Sequence, residues 1–237
     1  TINTGAGALM GGRKGILVDN DGNGATSVTT AGNVTGTTED GVFIDNTTTT
    51  TGATVNANAG TITGNTNGVY IDHKGTGAAV VTGSANITGS TLDGVFVDNT
   101  SIGSTIDITT NGTVLGDDRG IRANNDGSGT TSVTTTGTVT GTTQEAIQVS
   151  NTGAATNITV NTGAGAVSGA NIGIDVSNSG TGGTTSVTTT GAVTGTSDHA
   201  INVLQDTGTS GVTINTGAGA LMGGRKGILV DNDGNGA

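Results

Sequence analysis

The sequence contains no proline, no cysteine and no tryptophan, and its only Phe and Tyr residues are Phe43, Tyr70 and Phe96. Without cysteine, the chain has neither a disulfide framework nor thiol chemistry. Low aromatic content is typical of disordered chains, but those are usually rich in Pro, Glu and Lys, which are scarce or absent here. The absence of proline instead suits strands in which every amide donates to a neighbouring strand.

Basic residues are also few: 7 Lys and Arg stand against 18 Asp and Glu, giving a formal net charge of −11. A nucleic-acid-binding surface needs a basic face, so we predict that the chain binds no nucleic acid. No apolar run approaches the length of a membrane span, and we predict no membrane insertion by this segment. The chain lacks a charged and apolar cleavable leader, so we expect any export signal to lie outside it.

The chain is instead rich in glycine (46 residues), threonine and β-branched residues, and a short phrase recurs along it. The phrase consists of Gly or Ala, then Ile or Val, any residue, an apolar residue, a polar residue and usually Asn, and it recurs every 26 or 27 residues. Its first residues are Gly15, Gly41, Gly68, Gly94, Gly120, Ala146, Gly173, Ala200 and Gly227.

A second, longer repeat encloses the first. Residues 213–237 reproduce residues 1–25 without a change, at an offset of 212 residues. We therefore interpret residues 1–212 as one superrepeat of eight units and residues 213–237 as the start of the next identical superrepeat. We expect the sequence to be cut from a long tandem array.

Each unit contains three short strand-like pieces separated by Gly, Asn, Asp and Thr clusters, the typical pattern of short strands and turns. Their period-two alternation sends apolar residues to one side and Thr, Ser or Asn to the other. One such unit cannot bury its apolar side alone, whereas stacked copies can. We predict an all-β, parallel β-solenoid with three strands per coil and eight coils per superrepeat, each coil adding about 4.8 Å.

The sixth phrase position tests the register of that stack. In a solenoid this column forms a ladder of stacked amides at a corner, where the side chains satisfy backbone groups. The column reads Asn20, Asn46, His73, Asn99, Asn125, Asn151, Asn178, Gln205 and Asn232.

Two stretches carry a resemblance to a known family. TSVTTTGTVTGT (residues 131–142) and GVFVDNTS (residues 94–101) resemble passenger repeats of large bacterial autotransporter and filamentous-haemagglutinin-like surface proteins. The resemblance implies a right-handed solenoid displayed outside the bacterial cell, with an adhesive or structural role.

The stretch DNDGNG matches the first half of an EF-hand loop, and it occurs twice. Its twelfth position is Thr30 rather than the bidentate Glu that Ca²⁺ requires. Two interpretations stand: a partial Ca²⁺ cage, or Asp, Asn and Gly acting as turn formers. No cofactor is required, and the candidate Ca²⁺ ligands are Asp19, Asp21, Asn23, Asp231, Asp233 and Asn235.

The fifth phrase position is acidic in four successive units, at Asp19, Asp45, Asp72 and Asp98. Carboxylates on neighbouring coils lie about 5 Å apart, near the separation used by retaining glycosidases. No long loop is present to form a cleft, so we predict a protein that is not an enzyme, with no catalytic residues. Basic residues such as Arg13 and Lys14 face acidic turns, and we expect ion pairs between coils.

The third phrase position should point outward, and it places all three aromatic residues on one face. Ring stacking within the solenoid is one interpretation, and a lateral contact patch for another filament is the other. The candidate patch is Leu17, Phe43, Tyr70, Phe96 and Leu229.

We therefore predict a structural, non-catalytic, extracellular fibre or adhesin stalk. Its expected partners are copies of itself, end to end or side by side, and a surface glycan or host ligand. The alternative is a binding module, either a carbohydrate or host-surface adhesin or an ice-binding array built on the outward Thr residues.

Overall fold

A computed structural model describes residues 1–100, 102–206 and 211–233. Within these residues the chain is all-β, and it forms three parallel sheets of nine strands each. Each coil contributes one strand to each sheet, so the chain winds through the three sheets in turn. The described residues contain no helix that could cross a membrane.

The strands of the three sheets follow one another in strict rotation. Sheet I contains β1 (Ile2–Asn3), β4 (Thr26–Thr30), β7 (Ala53–Ala57), β10 (Ala79–Gly83), β13 (Ile106–Thr110), β16 (Thr131–Thr135), β19 (Ile158–Thr162), β22 (Thr185–Thr189) and β25 (Val212–Thr216). Sheet II contains β2 (Leu9–Gly11), β5 (Val34–Gly36), β8 (Thr61–Gly64), β11 (Asn86–Gly89), β14 (Val114–Gly116), β17 (Val139–Gly141), β20 (Val167–Gly169), β23 (Val193–Gly195) and β26 (Leu221–Gly223). Sheet III contains β3 (Ile16–Asn20), β6 (Val42–Asn46), β9 (Val69–His73), β12 (Val95–Asn99), β15 (Ile121–Asn125), β18 (Ile147–Asn151), β21 (Ile174–Asn178), β24 (His199–Gln205) and β27 (Lys226–Asn232).

Every strand pairs in parallel with the strand three places along the chain, and corresponding residues of the repeat lie opposite each other. Val28 of β4 is level with Val55 of β7, and Val42 of β6 is level with Val69 of β9. We number the coils 1 to 9, so that β1, β2 and β3 belong to coil 1 and β25, β26 and β27 to coil 9. The predicted three-strand parallel β-solenoid is confirmed.

The core is a narrow column of Val, Ile and Ala side chains inside the three sheets. Inward and outward residues alternate along the strands: in β6, for example, Val42 and Ile44 are fully buried and Phe43 between them is half-buried. Burying a Val or Ile side chain stabilises the fold by about 1.5–3 kcal/mol. Because each coil contributes only a few such side chains, it depends on its two neighbours for their burial.

A glycine column closes sheet II, at the last residue of each of its strands. A Cβ at Gly116 would lie 1.7 Å from the carbonyl oxygen of Arg119, and one at Gly64 would lie 1.8 Å from that of Asn67. Neither glycine has a positive φ. Close backbone approach is therefore what these corners require, whereas left-handed backbone occurs at other glycines, such as Gly60.

Gly116→Ala should destabilise the protein by about 1–3 kcal/mol, because the added methyl group forces the corner backbone apart. Gly5→Ala is the matched control, since a Cβ there has no heavy atom within 4 Å. It should change the free energy of unfolding by no more than about 0.5 kcal/mol. Urea unfolding followed by circular dichroism measures both, and equal effects of the two substitutions would show that the corner is not tightly packed.

Candidate functional site

Sheet III carries most of the candidate residues. The predicted amide ladder lies on the side of this sheet that faces the core. Strand pairing places the nine residues of this column level with one another. The seven inner members have no exposed surface, whereas Asn20 and Asn232 at the ends are partly exposed. The inner members are Asn46, His73, Asn99, Asn125, Asn151, Asn178 and Gln205.

Hydrogen bonds connect this column from coil to coil. The Nδ2 of Asn20 donates to the Thr26 hydroxyl (2.9 Å), which donates in turn to Oδ1 of Asn46 (2.8 Å). The Nδ2 of Asn46 donates to the carbonyl of Gly52 (2.9 Å) and lies 3.3 Å from Nδ1 of His73. Donors and acceptors thus link the column from Asn20 to His73 inside a narrow apolar core, whereas the buried Oδ1 of Asn99 in the next coil has no hydrogen-bond partner.

Buried threonines relay the hydrogen bonds between these amides, and the sequence patterns alone did not identify them. Asn125 reaches Asn151 through the buried hydroxyl of Thr131 (3.2 and 2.6 Å). Asn178 reaches Gln205 through Thr185 in the same way (3.3 and 2.7 Å). The available signal was the inward register of these threonines at the first position of their sheet I strands, where other coils place Ala, Ile or Val.

The contacts of His73 define its tautomer. Its Nε2 lies 3.1 Å from the carbonyl of Gly77, which can only accept, so Nε2 carries the proton. Because the Asn46 amide group donates to Gly52, the Nδ1 of His73 must accept from the same amide group. His73 is therefore neutral, and burial lowers its pKa, against the opposing effects of the Gly77 carbonyl and Asp72.

The aromatic residues form one stack on the outer side of sheet III. The Phe43 and Tyr70 ring centroids lie 4.9 Å apart, and those of Tyr70 and Phe96 lie 4.7 Å apart at an interplanar angle of 4°. Lys14 caps one end, 4.9 Å from the Phe43 centroid, and Arg122 caps the other, 4.6 Å from that of Phe96. Both faces of each ring are therefore covered, and the stack presents ring edges outward.

The two ends of the proposed lateral patch differ from its centre. Leu17 is 56% exposed and lies level with Phe43, while Leu229 of coil 9 lies level with Asn202. Burial, then the charges of Asp72 and Asp98, raise the pKa of Tyr70 to about 12. The predicted stacking within the solenoid is present, and lateral contact stays a prediction.

The acidic column runs beside the rings and is partly neutralised. Lys74 binds Asp45 at 2.7 Å and Asp72 at 2.6 Å, joining two coils. Burial opposes the charge on Lys74, but the hydrogen bonds to these carboxylates prevail and raise its pKa above the usual value. Burial, then the neighbouring charges of Asp72 and Asp126, raise the pKa of Asp98.

A second polar column, at the residue preceding each phrase, was not singled out from sequence. It contains Lys14, Asp40, Asn67, Asp93, Arg119 and Glu145 in coils 1 to 6. Asn67 donates to Asp40 from its side chain (2.9 Å), and the backbone N–H of Asp93 donates to Asn67 (3.1 Å). Cations and carboxylates are in contact at both ends of this polar column. These contacts are the ion pairs between coils that the sequence predicted.

Two ion-pair groups illustrate those contacts. At the boundary between coils 1 and 2, Arg13 and Lys14 both bind Glu39, and Lys14 lies 3.8 Å from Asp40. Hydrogen bonds from Lys14 and then Arg13 hold the pKa of Glu39 below its usual value. Farther along, Arg119 binds the buried Glu145 at 2.9 Å.

The DNDGNG stretch forms a turn around Asn20. The Oδ1 of Asn20 accepts from the N–H of Gly22, and the Nδ2 of Asn20 donates to the carbonyl of Gly24, both at 3.0 Å. Asp19 and Asp21 are exposed, and Asn23 lies in the same exposed loop. In the second copy, Asp231 ends β27 with Asn232, Asp233 follows it, and Asn235 lies outside the described residues. Over the described part of the chain, no group of three His, Asp or Glu side chains could hold a metal ion.

Comparison with known proteins does not assign this chain to a family. No family model matches the chain, and the searches of curated proteins and of solved structures returned no match. The solenoid architecture is established by the structure. The link to autotransporter or haemagglutinin passenger repeats rests on the sequence resemblance alone.

His73→Asn should remove a pH-dependent loss of stability, because it restores the residue that most coils place in this column. Unfolded histidine takes up a proton near pH 6.5, whereas folded His73 does so only at lower pH. Falling pH therefore favours unfolding of the parent from about pH 6.5 down to the folded-state pKa. Urea unfolding at pH 5 and pH 7.5 tests this; the same pH dependence in parent and variant would contradict it.

Asp93→Asn should have the opposite dependence. Burial raises the pKa of Asp93 from 3.8 to about 6, despite the lowering effect of Arg119 and Arg122. The folded state therefore gains from the protonated carboxyl at low pH and loses that stability as pH rises through about 6. At pH 7.5 we expect the variant to be more stable than the parent by on the order of 2 kcal/mol, and at pH 4 the two should be equal.

The exposed Asp107 supplies the control for that measurement. Asp107→Asn should leave the free energy of unfolding within about 0.5 kcal/mol of the parent at both pH values. A lower stability of Asp93→Asn than of the parent at pH 7.5 would show that the ionised carboxylate is well accommodated.

Proposed function

We propose that the protein is a structural, non-catalytic rod, an extracellular fibre or adhesin stalk that lengthens by stacking coil on coil. The observation that carries this proposal is the register itself. All 27 strands of the described part of the chain lie in three continuous parallel ladders, and each coil meets corresponding residues of its neighbours. A rod of this kind needs no active site, because its function follows from its length and stiffness.

The distribution of charge supports a rod that stays dispersed. The net charge is −11, and carboxylates line the outer side of sheet III beside the rings. A net charge far from zero keeps proteins soluble through mutual repulsion. Attraction between rods is therefore confined to selected surfaces. We place lateral contact at the candidate patch, from Leu17 to Phe96.

The alternative function is a binding module, and the outer surface of sheet I favours it. The outward residues of β4 to β25 are mostly Thr, Ser and Asn, and Asp107 is the one charged residue among them. Such a flat hydroxyl-rich surface suits an extended ligand such as ice or a glycan. The aromatic stack is a poorer sugar platform, because its ring faces are already covered.

A chain with two consecutive 212-residue blocks tests the rod. Eight added coils should lengthen it by roughly 38 Å with no change in cross-section, because each coil adds about 4.8 Å. Small-angle X-ray scattering measures both dimensions, and electron microscopy shows whether rods associate side by side. Growth in cross-section rather than length would overturn the proposal.

Lateral contact through the candidate patch is tested by the same electron microscopy with the Phe43→Thr, Tyr70→Thr and Phe96→Thr triple variant. Parent rods should form lateral bundles, and the variant should remain as single rods of the same length. Single rods from both proteins would remove the lateral contact and favour the binding module.

A further inference from the structure

Charge is distributed unevenly along the rod. Between residues 127 and 197, which span coils 6 and 7 and most of coil 8, the sequence has no Lys, Arg or His and only two acidic residues, Glu145 and Asp175. Glu145 is 5% exposed and binds Arg119 at 2.9 Å, so it contributes little charge to the surface. In a chain with a net charge of −11, these coils form a nearly uncharged section of the rod.

The outer side of sheet III carries a row of planar polar side chains through this section. Strand pairing sets Gln148 of β18 level with Asp175 of β21, and Asp175 level with Asn202 of β24. Neighbouring members are therefore about 4.8 Å apart along the rod. All three are half-buried, and we call them the polar row.

Hydrogen bonds hold the polar row in place. The Nδ2 of Asn202 donates to Oδ1 of Asp175 at 2.8 Å, and the Gln148 side chain bonds the same carboxylate. An ionised carboxylate accepts about four hydrogen bonds, so Asp175 keeps the capacity for about two more. Burial raises the pKa of Asp175, against the lowering effect of the Asn202 hydrogen bond. A hydrogen bond to a carboxylate partly shielded from water in this way is stronger than one in bulk water.

A second row runs beside the first, two residues farther along each strand. It consists of Ser150, Ser177 and Leu204, which also face outward and are half-buried. Serine hydroxyls both donate and accept hydrogen bonds, and Leu204 adds an apolar contact. The two rows together form a strip with hydrogen-bonding groups of both kinds and a single carboxylate.

The strip suits a carbohydrate better than a protein partner. The contact surfaces of proteins are enriched in aromatic residues, Met and Arg and depleted in Asp and Ser, whereas the two rows contain none of the former. A neutral polysaccharide presents hydroxyl groups that donate and accept at regular intervals along an extended chain. Its lack of charge also avoids repulsion by an acidic protein.

We propose that the outer side of sheet III in coils 6 to 8 binds a neutral, linear polysaccharide that lies along the rod axis. The polar row bonds the sugar hydroxyls, and the Asp175 carboxylate accepts from two neighbouring hydroxyls of one ring. This binding goes beyond the rod function, since a rod that binds no glycan is still a rod. It also places the glycan on sheet III rather than on the hydroxyl-rich surface of sheet I.

Calorimetric titration of the full chain with β-1,4-linked oligomers of glucose and of mannose, from one to six units, tests the proposal. Affinity for at least one series should rise from one unit to three, because three coils carry the polar row, and should change little from three to six. Hexagalacturonate, which has a carboxylate on every ring, should bind at least about tenfold more weakly than the neutral hexamer, because the protein is acidic.

Two variants test the residues. Asp175→Asn removes the charged acceptor and should weaken binding of the neutral hexamer by about tenfold, because hydrogen bonds to charged groups are the stronger ones. Gln148→Ala removes a neutral member of the row and should weaken it by a smaller factor. Asp107→Asn, the same change as the first at an exposed position of sheet I, should leave the affinity unchanged. Circular dichroism and urea unfolding show whether each variant is folded.

NMR amide shifts on addition of the hexamer locate the site, and the largest changes should fall in β18, β21 and β24. Three results would overturn the inference: no binding of either series to the parent, equal affinity of the parent and both sheet III variants, or shift changes centred on sheet I. The last result would move the glycan to the hydroxyl-rich surface of sheet I. None of them bears on the length of a two-block rod, so failure of this site and failure of the rod function are told apart.

Discussion

Parallel pairing between successive coils is the interaction on which the rest of the structure depends. It holds neighbouring coils about 4.8 Å apart and sets corresponding residues of the repeat level with one another. Each position of the repeat therefore forms a column of residues along the rod. Apolar columns become the core, amide columns become hydrogen-bonded chains, and charged columns become either ion pairs or lines of repulsion.

The polar columns show how a narrow core accommodates groups that would otherwise be costly to bury. An unpaired buried amide destabilises a fold, whereas a fully bonded chain of amides restricts the strands to one register. Asn46 meets this requirement through Thr26 on one side and His73 on the other. A one-residue slip would break these contacts and turn every side chain to the opposite face.

Ion pairs join neighbouring coils both at the first boundary and in the middle of the stack. Within the stack, Lys74 and Arg119 each bind carboxylates, and these pairs reduce repulsion inside an acidic chain. At the boundary between coils 1 and 2, the cations lie on one coil and the carboxylates on the next.

The sequence by itself determined the fold, because a 26- or 27-residue repeat with alternating Val and Ile leaves stacking as the way to bury its apolar side. It also located the amide column and the outward rings, since both follow from phrase position alone. Only the tertiary structure decided which groups touch. The Thr26, Thr131 and Thr185 relays and the burial of Asp93 depend on contacts between coils, and the tautomer of His73 depends on Gly77 in the following turn and on Asn46 in the preceding coil. Such contacts join residues about 20 to 27 positions apart, and local sequence patterns do not specify the angstrom-scale distances that make a hydrogen bond or shift a pKa.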